Sequence, residues 1–158
     1  MATLAKNGFR AFRGTESHFL YRVRTDREQQ NLLVRLLRLC DHYGNLSGHH
    51  TYALSPTLEH SSGLVNLPAS RFLRPWNAHL RLLEPLRRAR IKRSMTVAAK
   101  NGEVFHLWWH PHNFGAHQAQ NLATLIDLLD HFAYLQRTYG MESLTMAEAA
   151  TRVRELRA

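Results

Sequence analysis

His110 and His112 stand on either side of Pro111, directly after the apolar run Val104-Phe105-His106-Leu107-Trp108-Trp109. Imidazole titrates near neutrality, so it can both give and take a proton there, which is what a general acid or base must do. Proline fixes its own φ and pushes the preceding residue toward an extended conformation, so the two imidazoles ride on a stiffened turn. An H-x-H pair can also ligate zinc, but a site needs further ligands. His49, His50, His60 and His117 are available, yet no pair among them has the helical i, i+4 spacing of a strong zinc motif. The plain alternative is that the tryptophan pair is core and the histidines are loop residues with no task.

A general acid needs a base and a group that polarises the electrophile. Outside Asp26 the aspartates are Asp41, Asp127 and Asp130. All three fall at helical positions, where solvent exposure or helix-end effects account for them. No Gly-x-Ser-x-Gly nucleophile motif and no glycine-rich phosphate loop is present. On a strand, Val104, His106, Trp108 and His110 share one face, while Phe105, Leu107 and Trp109 share the other. Four residues of strand separate His106 from His110 by about 13 Å, too far for one metal ion. His106 is therefore expected to line the site or to be satisfied inside the core.

A strand that ends in a polar loop must carry these residues. In α/β folds, functional groups collect where parallel strands end and the chain turns toward the next helix. Two segments share that grammar: Ala5-Lys6-Asn7-Gly8-Phe9-Arg10-Ala11-Phe12 and Ala99-Lys100-Asn101-Gly102-Glu103-Val104-Phe105. Each reads as a last helical turn, a glycine stop and a strand, with lysine suited to the helix dipole and glycine to the left-handed cap. The first of them implies that Met1 begins inside the end of a helix. Leu32, Leu36, Leu39, Cys40 and Tyr43 follow helical spacing over residues 27–43, and Gly44 is the expected stop. Residues 48–68 are turn-rich, with a strand expected at 63–67. A helix is expected from about Trp76, broken or kinked near Pro85 and resuming to Lys100. Another is expected over 116–139, closed by Gly140, and Thr145 with Glu148 forms a capping box for a short last helix.

Composition sets bounds. With 158 residues and 44% hydrophobic content the chain can bury one core, but a complete α/β barrel takes about 250 residues. One domain, or part of one, is expected. Cys40 is the only cysteine, so it forms no intrachain disulfide and is expected to fill core. No apolar run approaches the roughly 20 residues that cross a bilayer, and the start lacks a signal-peptide pattern, leaving a cytoplasmic location as the default expectation. The net charge of +9 raises the question of an acidic partner such as nucleic acid. Arg81, Arg87, Arg88, Arg90, Lys92 and Arg93 form the densest cluster, interleaved with Leu82, Leu83, Leu86 and Ile91 as on an amphipathic helix with a solvated basic face. No nucleic-acid-binding signature accompanies the charge.

The run from His106 to Gly115, the helix after it and the segment Tyr139-Gly140-Met141-Glu142-Ser143-Leu144-Thr145-Met146-Ala147-Glu148-Ala149 resemble the carboxy-terminal half of a polysaccharide deacetylase with a NodB-homology domain. The opening Gly8-Phe9-Arg10-Ala11-Phe12-Arg13-Gly14 is similar to the strand after that family's metal-binding histidines. The resemblance implies an α/β fold, the carboxy-terminal part of a distorted (β/α) barrel, with residues 1–158 as a single partial domain. It implies metal-dependent hydrolysis of N-acyl groups on a carbohydrate or related substrate, in which a divalent metal such as zinc polarises the carbonyl and activates water.

Within that resemblance, His110 matches the late histidine that protonates the departing amine, and Arg13 the arginine that pairs with the catalytic aspartate. Arg13 is followed by Gly14, Thr15 and Glu16 where the family often has Arg-x-Pro-x-Gly. Trp108, His112, Asn113 and Phe114 are the implied substrate-binding residues, and Trp76, Trp108 and Phe114 are candidates either for sugar-facing surfaces or for core. The family's Thr-Phe-Asp-Asp and His-x-x-x-His elements should precede Arg13, and neither stands in the twelve residues there. The resemblance thus implies the acid side of a site without its metal and base side. No metal ligand is assigned, and the chain alone is expected to be inactive, its partner being the missing half of the barrel or another copy of itself. An amidohydrolase-like metal site at His110 and His112, and a non-catalytic basic interaction module, are the rival readings.

Overall fold

The computed structural model describes residues 2–15, 21 and 32–157. The short helix α1 (Ala2–Lys6) leads through Gly8, at φ 78°, into strand β1 (Ala11–Phe12). Helix α2 (Leu32–Gly44), strands β2 (Val65–Asn66) and β3 (Arg71–Phe72), helix α3 (Glu84–Asn101), strand β4 (Leu107–Trp108), helix α4 (Gln118–Tyr139) and helix α5 (Met146–Glu155) follow.

The strands are short and parallel. β1 pairs with β2, placing Ala11 opposite Val65, and β3 pairs with β4, placing Arg71 opposite Leu107. One extended segment connects the two pairs. Val65, Leu67 and Ala69 donate backbone N–H bonds to the carbonyls of Arg10, Phe12 and Gly14, and Ser70, Arg71 and Leu73 donate to those of His106 and Trp108. Ser70 and Arg71 both bond to the His106 carbonyl, as in a β-bulge, and there the chain changes partner from β1 to β4. Strand pairing covers only Leu107 and Trp108 of the expected run 104–109. Val104 instead makes an isolated antiparallel bridge with Tyr52. Among the described residues no closed barrel forms.

Two apolar clusters hold the helices to this sheet. Val65 and Leu67 pack with Ala149, Ala150 and Val153 of α5. Leu73 packs with Ile91 and Met95 of α3 and with Leu128 and Leu135 of α4, joined by Phe105, Leu107, Phe114 and Phe132. The helix ends follow the residues at them. Gly102, at φ 65°, and Gly140, at φ 69°, take the left-handed positions after α3 and α4, and each returns its N–H to the last turn. The break expected near Pro85 is present, and Pro85 starts the helix that resumes there. It sits in the first turn of α3, where its missing N–H costs nothing, and residues 78–83 before it form a separate 3-10 turn. Gly44 belongs to α2 itself, and Asn45, at φ 52°, takes the left-handed step after it.

Helix α2 is turned opposite to the expectation. Its apolar arc faces outward, with Leu32 68% and Leu36 48% exposed and Cys40 exposed rather than filling core. Its buried residues are Asp41 and His42. At about 100° per residue, Asp41 lies roughly 140° around the helix from Leu36, so burying the carboxylate directs the leucines away. Among the described residues no helix is long and apolar enough to cross a membrane.

Candidate functional site

The carboxyl ends of β1, β3 and β4 meet in a cluster of aromatic and basic side chains. Arg13 follows β1, Phe72 ends β3, and His110 comes two residues after Trp108, which ends β4. The Arg13 guanidinium carbon lies 3.6 Å from the centroid of the Trp108 ring, within range of a cation–π contact. Trp108 meets Phe72 at 4.5 Å and His110 edge-on at 5.1 Å, and the His110 and His112 rings stack at 5.1 Å with 18° between their planes. Phe72 also touches His110, at 5.9 Å. Residues about 100 positions apart in the chain are joined here because β1 and β4 flank the same extended segment.

Backbone geometry sets the histidine turn as Pro111 requires. His110 is extended (φ −95°, ψ 128°), and residues Pro111–Phe114 form a 3-10 turn in which the Asn113 N–H bonds to the His110 carbonyl. The turn also divides the expected substrate-binding set. His112 stays beside His110, whereas Phe114 turns to Trp109, 6.0 Å away, and to the core cluster beneath α3 and α4. Trp76 packs against His117, 4.6 Å away at the start of α4, and its backbone N–H bonds to buried Asn121. One face of Trp108 is taken by Arg13, so the indole acts first as a platform for that cation.

His106 is half-buried behind this cluster. Its Nδ1–H donates to the Pro68 carbonyl at 3.2 Å, and its backbone N–H donates to Ser70 Oγ at 2.9 Å. Burial holds its pKa below the usual range against those carbonyl contacts, with Arg13 adding to the depression. This hydrogen-bonded imidazole is satisfied within the fold. Gly14 lies close against the Asn66 side chain, whose amide would have to move aside for a Cβ there.

A second polar centre lies inside the fold, around Asp41, for which solvent exposure or a helix-end effect was expected. Asp41 is fully buried and accepts hydrogen bonds from the Tyr21 hydroxyl (2.5 Å), from the Ser47 N–H and hydroxyl (2.6 and 2.8 Å), and from Arg71 and Arg90 (3.2 and 3.0 Å). Burial pushes its carboxyl pKa up, but the Tyr21 and Ser47 bonds and the Arg90 charge outweigh burial and hold it well below the usual carboxylate range. Arg87 and Arg90, expected on a solvated basic face, are 2% and 4% exposed. Arg87 pairs with Glu84 and donates to the Arg74 carbonyl. His42, beside them, is kept neutral: burial first, then the charges of Arg74, Arg71, Arg90 and Arg87, bring its pKa down to about 3. A helical wheel carries the signal for this centre, since Glu84, Arg87, Ile91, Ser94, Met95 and Ala98 recur at the spacing of one face.

Among the described residues no three of His, Cys, Asp and Glu are grouped as a metal would require. The stacked pair His110 and His112 offers two imidazoles, which is not the aspartate-and-two-histidine donor set that the resemblance implies. No family model, curated protein or solved structure matches this chain.

Proposed function

We propose that this chain is the carboxy-terminal part of a polysaccharide deacetylase-like (β/α) barrel and carries the general-acid side of a site that hydrolyses N-acyl groups on a carbohydrate. The observation that carries the reading is the meeting of Arg13, Trp108 and His110 at the carboxyl ends of parallel strands. In such barrels, reacting groups are presented at that edge.

In this reading His110 gives a proton to the amine nitrogen as the C–N bond of the tetrahedral intermediate breaks, which lets the amine leave neutral. His112, stacked on His110, and Pro111, which fixes the backbone between them, restrict the imidazole's orientation. Trp108 holds Arg13 within the same strand-end cluster, where its charge can meet an anionic group brought to the site. The metal and the base belong to elements outside these residues, so no step through a metal is assigned to this chain.

The chain by itself should release no acetate from acetylated chito-oligosaccharides with zinc, cobalt or manganese added. In a complete protein that contains this segment, His110→Asn should lower turnover about a hundredfold, the scale of lost general-acid catalysis. His106→Asn should act mainly on folding. Metal-dependent turnover by the isolated chain, or unchanged turnover in the His110 variant, would overturn the reading.

A further inference from the structure

The cluster at the strand ends carries the Arg13 charge, and among the described residues no carboxylate pairs with it. The Arg13 guanidinium lies over the Trp108 ring, and the ion pairs among the described residues lie elsewhere in the fold. His110 and His112 add two exposed imidazoles within one ring stack of each other, and Phe72 and Trp108 supply flat apolar surface beneath them. A guanidinium stacked on an aromatic face has lost much of its freedom before a ligand arrives, so less entropy remains to be lost when it binds an oxyanion. The imidazoles, joined to it through the Trp108 ring, offer N–H donors and a flat surface against which ring carbons can rest.

We propose that Arg13, His110 and His112 form a subsite for an oxyanion carried on a sugar ring, a carboxylate or a phosphate ester. This deepens the deacetylase-like reading and rests on it, because it gives that site an anionic rather than a neutral saccharide. The guanidinium takes the charged oxygens, and the stacked imidazoles take the adjoining ring. Nothing in the arrangement favours a bare ion, since the aromatic surface gains nothing from one.

The test is direct binding to the full chain, read through tryptophan fluorescence, because Trp108 lies under the guanidinium. Four probes are titrated: glucuronic acid, N-acetylglucosamine 6-phosphate, neutral N-acetylglucosamine and inorganic phosphate. Saturable binding of either charged sugar, at least about tenfold tighter than both the neutral sugar and inorganic phosphate, is the expected result, and the stronger of the two identifies the oxyanion. Arg13→Gln should lose about tenfold in that affinity, and Arg13→Lys should not restore it, because an ammonium lacks the planar fork. His112→Asn serves as the second variant, with a smaller loss expected. Equal affinity for inorganic phosphate and charged sugar, equal affinity for neutral sugar, or unchanged affinity in Arg13→Gln would each overturn the proposal. The two readings fail separately. Anion binding without His110-dependent turnover in the complete protein sinks the deacetylase reading, and His110-dependent turnover without anion binding sinks this one.

Discussion

Asp41 has the largest predicted consequence of any single residue. A buried carboxylate between two guanidiniums offsets its desolvation only while both partners stay charged and bonded. Asp41→Asn keeps the shape but removes the charge, leaving Arg71 and Arg90 buried beside a neutral amide. A loss of about 3–5 kcal/mol is expected from urea unfolding, the scale measured when one partner of a buried pair is removed. A loss below about 1 kcal/mol would mean that water reaches the pair. His42 gives a separate, pH-dependent result. Its folded pKa of about 3 lies below the ordinary histidine value near 6.5, so the unfolded chain binds the extra proton first. The stability from a neutral His42 is therefore complete above about pH 6.5 and is lost as pH falls toward 3. Unfolding midpoints should drop between pH 7 and 5, before carboxylates titrate. His42→Gln should flatten that slope by up to about 1.4 kcal/mol per pH unit, and an unchanged slope would remove His42 from the account.

At the scale of elements, local chemistry and long-range pairing differ in how well the sequence announces them. The last helix is the clearest case. The Thr145 hydroxyl accepts the Glu148 N–H at 3.2 Å, and Glu148 accepts the Thr145 N–H at 2.7 Å, so the predicted capping box is present. Thr145→Ala should cost about 1 kcal/mol, and because Ala149, Ala150 and Val153 hold α5 on β2, the loss should appear as earlier exchange of α5 amides. Global unfolding without early release of α5 would contradict that order. The Thr145 cap, the stops at Gly102 and Gly140 and the Pro111 turn were legible because each depends on residues within one turn of the chain, whereas the stop expected at Gly44 falls to Asn45. The ends of β4 and the orientation of α2 were not. Alternation of side chains extends β4 over 104–109, but pairing depends on where the segment around Ser70 shifts its register. Helical spacing identifies the leucine arc of α2 without saying which arc is buried, and Asp41, Arg71 and Arg90, separated by 30 and 49 residues, decide that. The same limit applied to the site. His110 and Trp108 could be paired from the sequence, but the contact of Arg13 with Trp108 depends on the long connection that brings β1 beside β2.

Considered as a whole, the molecule leaves more apolar surface uncovered than one small core accounts for. Leu32 and Leu36 of α2 face outward, and so do Leu122, Ile126 and Leu129 of α4, which recur at i, i+4 and i+7 as one stripe. Between β4, α3, α4 and α5 lies a cavity of about 700 Å³ whose walls include Met95, Phe105, Leu107, Phe132 and Met141. Single exposed leucines are common on proteins, but aligned stripes and an open apolar cavity mark interaction or ligand-binding surfaces. The proposed partial barrel gives a physical reason, because strands and helices that would complete it would cover such faces and pair the remaining strand edges. The isolated chain should therefore self-associate, or bind an apolar-surface dye and melt over a broad range. Sedimentation velocity over a concentration series, read together with dye fluorescence, tests this. Ile126→Glu should shift the association toward monomer if the α4 stripe forms the contact, and should leave it unchanged if the α2 face does. A monodisperse monomer with a sharp melt and no dye binding would instead make this sheet and its helices a self-sufficient fold, and the partial-barrel reading would fall with that result.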